Sequence, residues 1–201
     1  MTDLFKNKAA DWDTRPLPAI ISEGVGAALL QRVELNSDMS VMDFGAGTGL
    51  LCAHVAPHVK TIYAVDISAA MLEKLAAKPE LQGKVQTVCQ NILDAPLSTA
   101  VDLIVSAMAL HHVEDTGRLL KTFREHLSPG GSLALADLDQ EDGSFHPAGV
   151  EGVYHQGFDR QALQELLRNA GFERIEFVTA LEISKESGTF PVFLVTATKG
   201  D

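Results

Sequence analysis

The sequence predicts a doubly wound α/β sheet in three layers, and three observations carry that expectation. Residues 41–50, Val-Met-Asp-Phe-Gly-Ala-Gly-Thr-Gly-Leu, pass from a short apolar strand through three glycines into a helix-forming segment. Short runs rich in β-formers at 61–66, 84–89, 101–107 and 132–138 alternate with stretches whose apolar residues recur at helical spacing, the pattern of parallel strands joined by crossover helices. The strand before the glycines and the run at 61–66 also carry acids near their carboxyl ends, Asp43 and Asp66, on the side of such sheets where ligands bind.

With 201 residues, 46% of them hydrophobic, the chain suits one globular domain over 1–201 with a substantial core. A net charge of −11 argues against nucleic acid, whose phosphates are held by Lys and Arg, and fits a small-molecule or protein substrate better. Cys52 and Cys89 offer neither a disulfide framework nor a tetrahedral zinc set, as expected in a reducing compartment. The first residues have no apolar signal core and no apolar run reaches the ~18 residues that span a bilayer, so the expectation is a cytoplasmic protein with no membrane partner, monomeric or homodimeric.

Residues 1–18 contain the single tryptophan, Trp12, among Asp11, Asp13 and Arg15, and then Pro16 and Pro18. An amphipathic segment with Ile20, Ile21, Val25, Leu29 and Val33 follows, so 1–36 reads as an arm leading into a helix.

The glycine stretch is the chemical centre. Glycines let backbone approach a ligand and turn through angles other residues avoid, and the next helix offers unpaired N–H groups. The spacing departs from the dinucleotide fingerprint G-x-G-x-x-G. Counting from Gly45, the third glycine position holds Leu50, and the glycine falls one residue early at Gly49. Asp43, two positions before Gly45, would repel a pyrophosphate and suits a ligand bearing an ammonium group.

The run Asp43-Phe-Gly45-Ala46-Gly47-Thr-Gly49 resembles the first motif of the class I S-adenosylmethionine-dependent methyltransferases, acidic-x-Gly-x-Gly-x-Gly, at every fixed position. The resemblance implies that Gly45, Ala46, Gly47 and Gly49 pass under the methionine part of S-adenosylmethionine and that Asp43 serves the loop and the cofactor's amino group. It also implies that an N-terminal segment closes over the cofactor or substrate, which makes Trp12 a lid residue.

The remaining elements follow in order. Residues 50–58 read as the first crossover helix, and 61–66 as the second strand. Asp66 lies 17 residues beyond Gly49, near the distance at which such folds place a carboxylate on ribose hydroxyls. Ser68 caps a helix carrying Met71, Leu72, Leu75 and Ala76. After the third strand, 84–89, Asn91 falls where the family has an acid on the adenine amino group. Its carbonyl can accept the same bond, and Ile67 and Ile92 are candidates to sandwich the ring.

The fourth strand ends at Ala107, which should border the cofactor, and leads into Met108-Ala-Leu-His111-His112 near the reacting centre. His112 is a candidate base and His111 a substrate contact. The stretch Ser106-Ala-Met-Ala109 lacks the Pro-Pro-aromatic signature of base and glutamine methylators. No Pro-Cys nucleophile or thiolate set is present, so a metabolite is expected as acceptor.

A helix over 116–127, with Leu119, Leu120, Phe123 and Leu127 on one stripe, stops at Ser128-Pro-Gly-Gly131, and the fifth strand spans 132–138. The polar stretch 139–158 then reads as a loop over the substrate site, with Asp137, Asp139, His146 and His155 as acids, bases or anchors. Its Asp139, Glu141, Asp142 and His146 fit no calcium-loop spacing, and no metal is expected. Asp159 caps a helix over 160–170, whose stripe is Leu163, Leu166, Leu167 and Ala170. Strands at 172–179 and 191–198, joined through 180–189, match the family's terminal hairpin.

The resemblance therefore implies a seven-stranded, mostly parallel, Rossmann-like methyltransferase sheet whose last strand inserts antiparallel between strands five and six. It implies methyl transfer from S-adenosylmethionine, leaving S-adenosylhomocysteine, to an oxygen, nitrogen or carbon of a small acceptor. Two other classes stay open: a non-catalytic cofactor-binding domain supporting a partner, and a nicotinamide-dependent oxidoreductase, which Leu50 disfavours.

Overall fold

The computed structural model describes residues 3–147 and 149–200, so Met1 and Thr2 of the expected arm, Ala148 of the expected loop and Asp201 lie outside it. Five parallel strands are laid down first: β1 (Ser40–Phe44), β2 (Thr61–Asp66), β3 (Val85–Cys89), β4 (Val101–Ala107) and β5 (Leu127–Leu138). A hairpin of β6 (Phe172–Lys185) and β7 (Gly188–Lys199) completes a seven-stranded sheet of order β3-β2-β1-β4-β5-β7-β6. β7 runs antiparallel to both neighbours, as the family resemblance implies.

Both faces of this sheet are covered, which is why its central strands are continuously apolar. Val41, Leu103 and Ala134 face one side, under α1 (Pro16–Arg32), α2 (Leu50–Val55) and α3 (Ala69–Ala76). Met42, Ile104 and Leu133 face the other, under α4 (Thr116–His126) and α5 (Arg160–Asn169). The caps expected at Ser68 and Asp159 accept from the backbone N–H groups of Met71 and Ala162, at 3.4 and 2.8 Å. Asp102 at the foot of β4 accepts from Ser40 N (2.8 Å), and the Ser106 hydroxyl donates to Phe44 O (2.8 Å), pinning β1 to β4 at both ends.

Several boundaries differ from expectation. The α-helix after the glycines ends at Val55, and residues 56–58 tighten into a 3-10 turn at Pro57. Ser128–Gly131 does not separate helix from strand; it lies inside β5 as an irregularity, with Leu127 paired to Val101 and Ser132 to Leu103. The final hairpin is longer than expected because Ile183 and Phe190 turn inward against Phe145, leaving Glu186 and Ser187 as its turn. Ile20 and Leu166, expected on buried stripes, are exposed.

Candidate active site

Three glycines follow β1, each with positive φ for a different reason. Gly45 (φ +69°) and Ala46 donate to Val65 O, tying the loop to β2. A Cβ on Gly45 would lie 2.4 Å from that of Ala109, and one on Gly49 (φ +82°) would lie 2.7 Å from Leu75 Cγ. A Cβ on Gly47 (φ +53°) would meet nothing within 4 Å, so the backbone there faces open space. Beside it, Asp66 accepts from Gly47 N and Ser68 N, both at 2.8 Å, one on each carboxylate oxygen. Burial raises the Asp66 pKa while these two donors oppose the rise.

Asp43 is placed differently from expectation. It is buried beneath the loop, where the Cys52 thiol donates to its Oδ2 at 3.0 Å, instead of facing a ligand. Burial pushes its carboxyl up to about 7, with the Asp66 charge adding and the Cys52 bond opposing. Cys52 in turn is driven well above the usual thiol range, first by burial and then by Asp43.

On the far side of the loop the two expected ring contacts separate. Ile67 is 39% exposed at the end of β2, free to cover an aromatic ring, whereas Ile92 is 1% exposed and packed with Met42 and Val65. Ile92 is therefore core and not a ring contact. Asn91 uses its amide locally, donating to Asp94 (2.8 Å) and accepting from Leu93 N (3.1 Å). Ala107 closes β4 half-buried, next to Met108, whose φ of +57° is uncommon for a side chain of its size.

The arm lies across this end of the sheet. Asp13 accepts from the Thr48 hydroxyl of the loop and pairs with Lys78 (2.7 Å), and Asp3 accepts from Ser68 Oγ (2.9 Å). Trp12 is half-buried, edge-on to Phe5 at 5.9 Å, and Phe5 also meets His112 at 5.2 Å. The arm thus touches the glycine loop, β2's carboxyl end and the histidines, through Asp13, Asp3 and Phe5, none of which the sequence singled out. These partners are tens of residues apart, so no local pattern marks them.

The histidines and the 139–158 loop form the second half of the site. His111 is 1% exposed; its Nδ1 meets Asp137 Oδ1 at 2.7 Å and its backbone N–H donates to Oδ2 at 3.2 Å. Asp137, expected as a substrate anchor, is instead fully buried, held between His111 and Leu138 N. His112 donates from Nδ1 to Gly152 O at 2.6 Å, and His155 Nε2 lies 3.0 Å from Val113 O and 3.2 Å from Thr116 Oγ1. His146 sits 5.1 Å from the His111 ring. His112 and His146 are both pushed down to about 4, chiefly by burial and then by the neighbouring His111. Asp139, expected over the substrate, forms a bidentate pair with Arg160 at 2.6 and 2.8 Å, which removes it from that duty.

The loop is shaped by its own contacts and by one from the terminal hairpin. Glu141 Oε2 accepts from Gly143 N and Phe145 N, the strand-like neck joins Gln140 N to Phe158 O, and Lys185 from the hairpin tip holds Phe145 O. A cavity of about 580 Å³ lies along it, lined in part by Gln140, Glu141, His146, Tyr154 and Gln156. Among the described residues, no group of three His, Cys, Asp or Glu side chains is arranged to hold a metal ion. Nor, among them, is any helix long and apolar enough to cross a membrane.

Residues 20–176 match the family model described as a methyltransferase domain, so the chain belongs to the class I S-adenosylmethionine-dependent methyltransferase family. An uncharacterised methyltransferase of Schizosaccharomyces pombe is 31% identical over 159 residues, covering 71% of this chain and 56% of its own. The chain spans a little over half the length of the first curated relatives it matches. Among solved structures, a complex between the Haloferax volcanii Trm112 methyltransferase activator and a methyltransferase superposes with a TM-score of 0.81 at 17% identity, covering all of both chains. A DhpI–S-adenosylhomocysteine complex gives 0.76 at 19% identity, over 98% of this chain and 93% of that one. At such identities these two likenesses speak to fold alone.

Proposed function

We propose that this chain, acting as one domain, transfers the methyl group of S-adenosylmethionine to a small-molecule acceptor beneath the 139–158 loop. The observation that carries the reading is the open space over Gly47 with Asp66 beside it at the end of β2. A carboxylate with free lone pairs there suits a ribose diol, the open space over the Gly47 backbone leaves room for an amino-acid moiety, and exposed Ile67 suits the adenine face. When bound, S-adenosylmethionine supplies a methyl already activated on a sulfonium sulfur. The chain's part is then placement: the loop and Asp66 orient, Ile67 stacks, and the arm around Trp12 and Phe5 shuts out water.

Acceptor size follows from the second half of the site. About 580 Å³ is room for a metabolite. A net charge of −11 disfavours nucleic acid, and two unpaired cysteines suit the cytoplasm. A nicotinamide-dependent activity is disfavoured because Leu50 opens α2 where a dinucleotide loop needs its third glycine. Calorimetric titration with S-adenosylhomocysteine, with NADH as control, tests the reading. Saturable binding of the former alone is expected; binding of NADH alone would overturn it.

A further inference from the structure

Two buried imidazole nitrogens at the centre of the site, His111 Nε2 and His146 Nε2, find no hydrogen-bond partner among the described residues. Leaving such groups unpaired is costly, and His146 lines the cavity along the 139–158 loop with the His111 ring 5.1 Å away, so the two nitrogens together point to something that binds between them. Their chemistry says what. The Asp137 carboxylate can only accept, so His111 Nδ1 carries its proton and Nε2 presents a lone pair. Among the described residues nothing fixes the His146 tautomer, and it can present Nε2–H.

We propose that the methyl acceptor is a hydroxyl compound, that His111 is the base that takes its proton, and that His146 donates to the same oxygen. This rests on the methyl-transfer reading above. A hydroxyl donates one bond, accepts another and keeps a second lone pair for attack. A neutral amine has a single lone pair, which cannot both accept from His146 and attack. A carboxylate or phosphate has no hydrogen to give His111, and a carbon acid has no lone pair for His146. Position agrees: Ala109, two residues before His111, packs directly on Gly45 of the loop.

In the transfer, the acceptor oxygen forms its bond to the methyl carbon as the carbon–sulfur bond breaks. That bond's electron pair leaves with sulfur, and the hydroxyl proton passes to His111 Nε2. The imidazolium so formed is balanced by Asp137, a positioning residue that fixes the tautomer and holds the charge. The products are a methyl ether and the thioether, and His111 returns its proton to water.

The test uses wild-type protein saturated with S-adenosylhomocysteine, with histidine nitrogens read by long-range proton–nitrogen NMR at neutral pH. His111 should show a protonated Nδ1 and a bare Nε2. Phenol, as a probe hydroxyl, should shift that Nε2 signal upfield and saturably and should perturb His146, while anisole, the same ring without O–H, should not. The opposite tautomer, an Nε2 unmoved by phenol, or an equal response to anisole would overturn the proposal. Saturation by S-adenosylhomocysteine with a silent His111 sinks this assignment alone, whereas failure to bind S-adenosylhomocysteine sinks the methyl-transfer reading. Asp137→Asn should weaken the phenol response and leave S-adenosylhomocysteine affinity unchanged; an undiminished response would remove Asp137 as the positioning group.

Discussion

Two neighbouring glycines separate stability from binding. Gly45→Ala forces a methyl into Ala109 and should cost about 1–3 kcal/mol, seen as a lowered Tm. Gly47→Ala meets no protein atom, so its stability loss is limited to the left-handed backbone, roughly 1–2 kcal/mol. Its methyl stands where the ligand must come, however, and S-adenosylhomocysteine affinity should fall at least tenfold; an unchanged Kd would move the cofactor elsewhere. The same scale governs pH. His112 and His146, held down to about 4, give stability that is complete above their usual 6.5 and is lost as pH falls through 4. Asp43, raised from 3.8 to about 7, has the opposite sign: its contribution is complete below 3.8 and is lost as pH rises through 7. Asp43→Asn removes one slope that opposes the histidines, so melting curves from pH 4.5 to 7.5 should rise more steeply with pH than in the wild type. A parallel pair of curves would contradict the buried, proton-holding Asp43. These residues also mark what a sequence can and cannot tell. Glycine placement is legible because a positive φ is a local demand, whereas Asp43 under the loop and His111 against Asp137 depend on which side of a strand the chain returns to.

At the level of elements, the arm and the 139–158 loop are held by few, specific contacts. Asp13→Ala removes both the Thr48 and the Lys78 partners. Because the pair is partly exposed, it should lower stability by under about 1 kcal/mol. S-adenosylhomocysteine affinity should nevertheless weaken several-fold, since the arm would no longer rest on the glycine loop; equal affinity would show the arm to be a bystander. Lys185→Met, at the end of β6, should free Phe145 O and increase amide exchange across 141–146 while exchange in the central strands stays unchanged, and unaltered exchange across 141–146 would remove the hairpin tip as the loop's support. Strands and helices were readable because period and caps are local: Ser68 and Asp159 cap where the pattern said. The length of β6 and β7 was not readable, because Ile183 and Phe190 are drawn inward by Phe145, a residue from a distant loop. The pairing of Asp139 with Arg160 escaped for the same reason, since 21 residues separate them.

Across the whole molecule, one continuous sheet carries the ligand-bearing loops at the carboxyl ends of its parallel strands, so cofactor and fold are thermodynamically linked. At a hundredfold excess over Kd, S-adenosylhomocysteine should add about 2.7 kcal/mol, and thus raise Tm by roughly 5–10 °C for a chain of this size. NADH at the same concentration should leave it fixed. Fold class and topology were legible because strand order follows from alternating periods and from a motif with a known place in the sheet. The acceptor's surroundings were legible only as a set of candidates, since burial chose among them. The two cysteines carry a last, practical consequence. Cys52, its thiol hydrogen-bonded to Asp43 and shut inside, should resist maleimides, while Cys89 is exposed at the end of β3 with its sulfur 3.8 Å from Ile67 O. Unmutated protein should take up one fluorophore per chain, seated one carbonyl from the surface assigned to the adenine ring, and so arrives equipped as an optical sensor of its own cofactor.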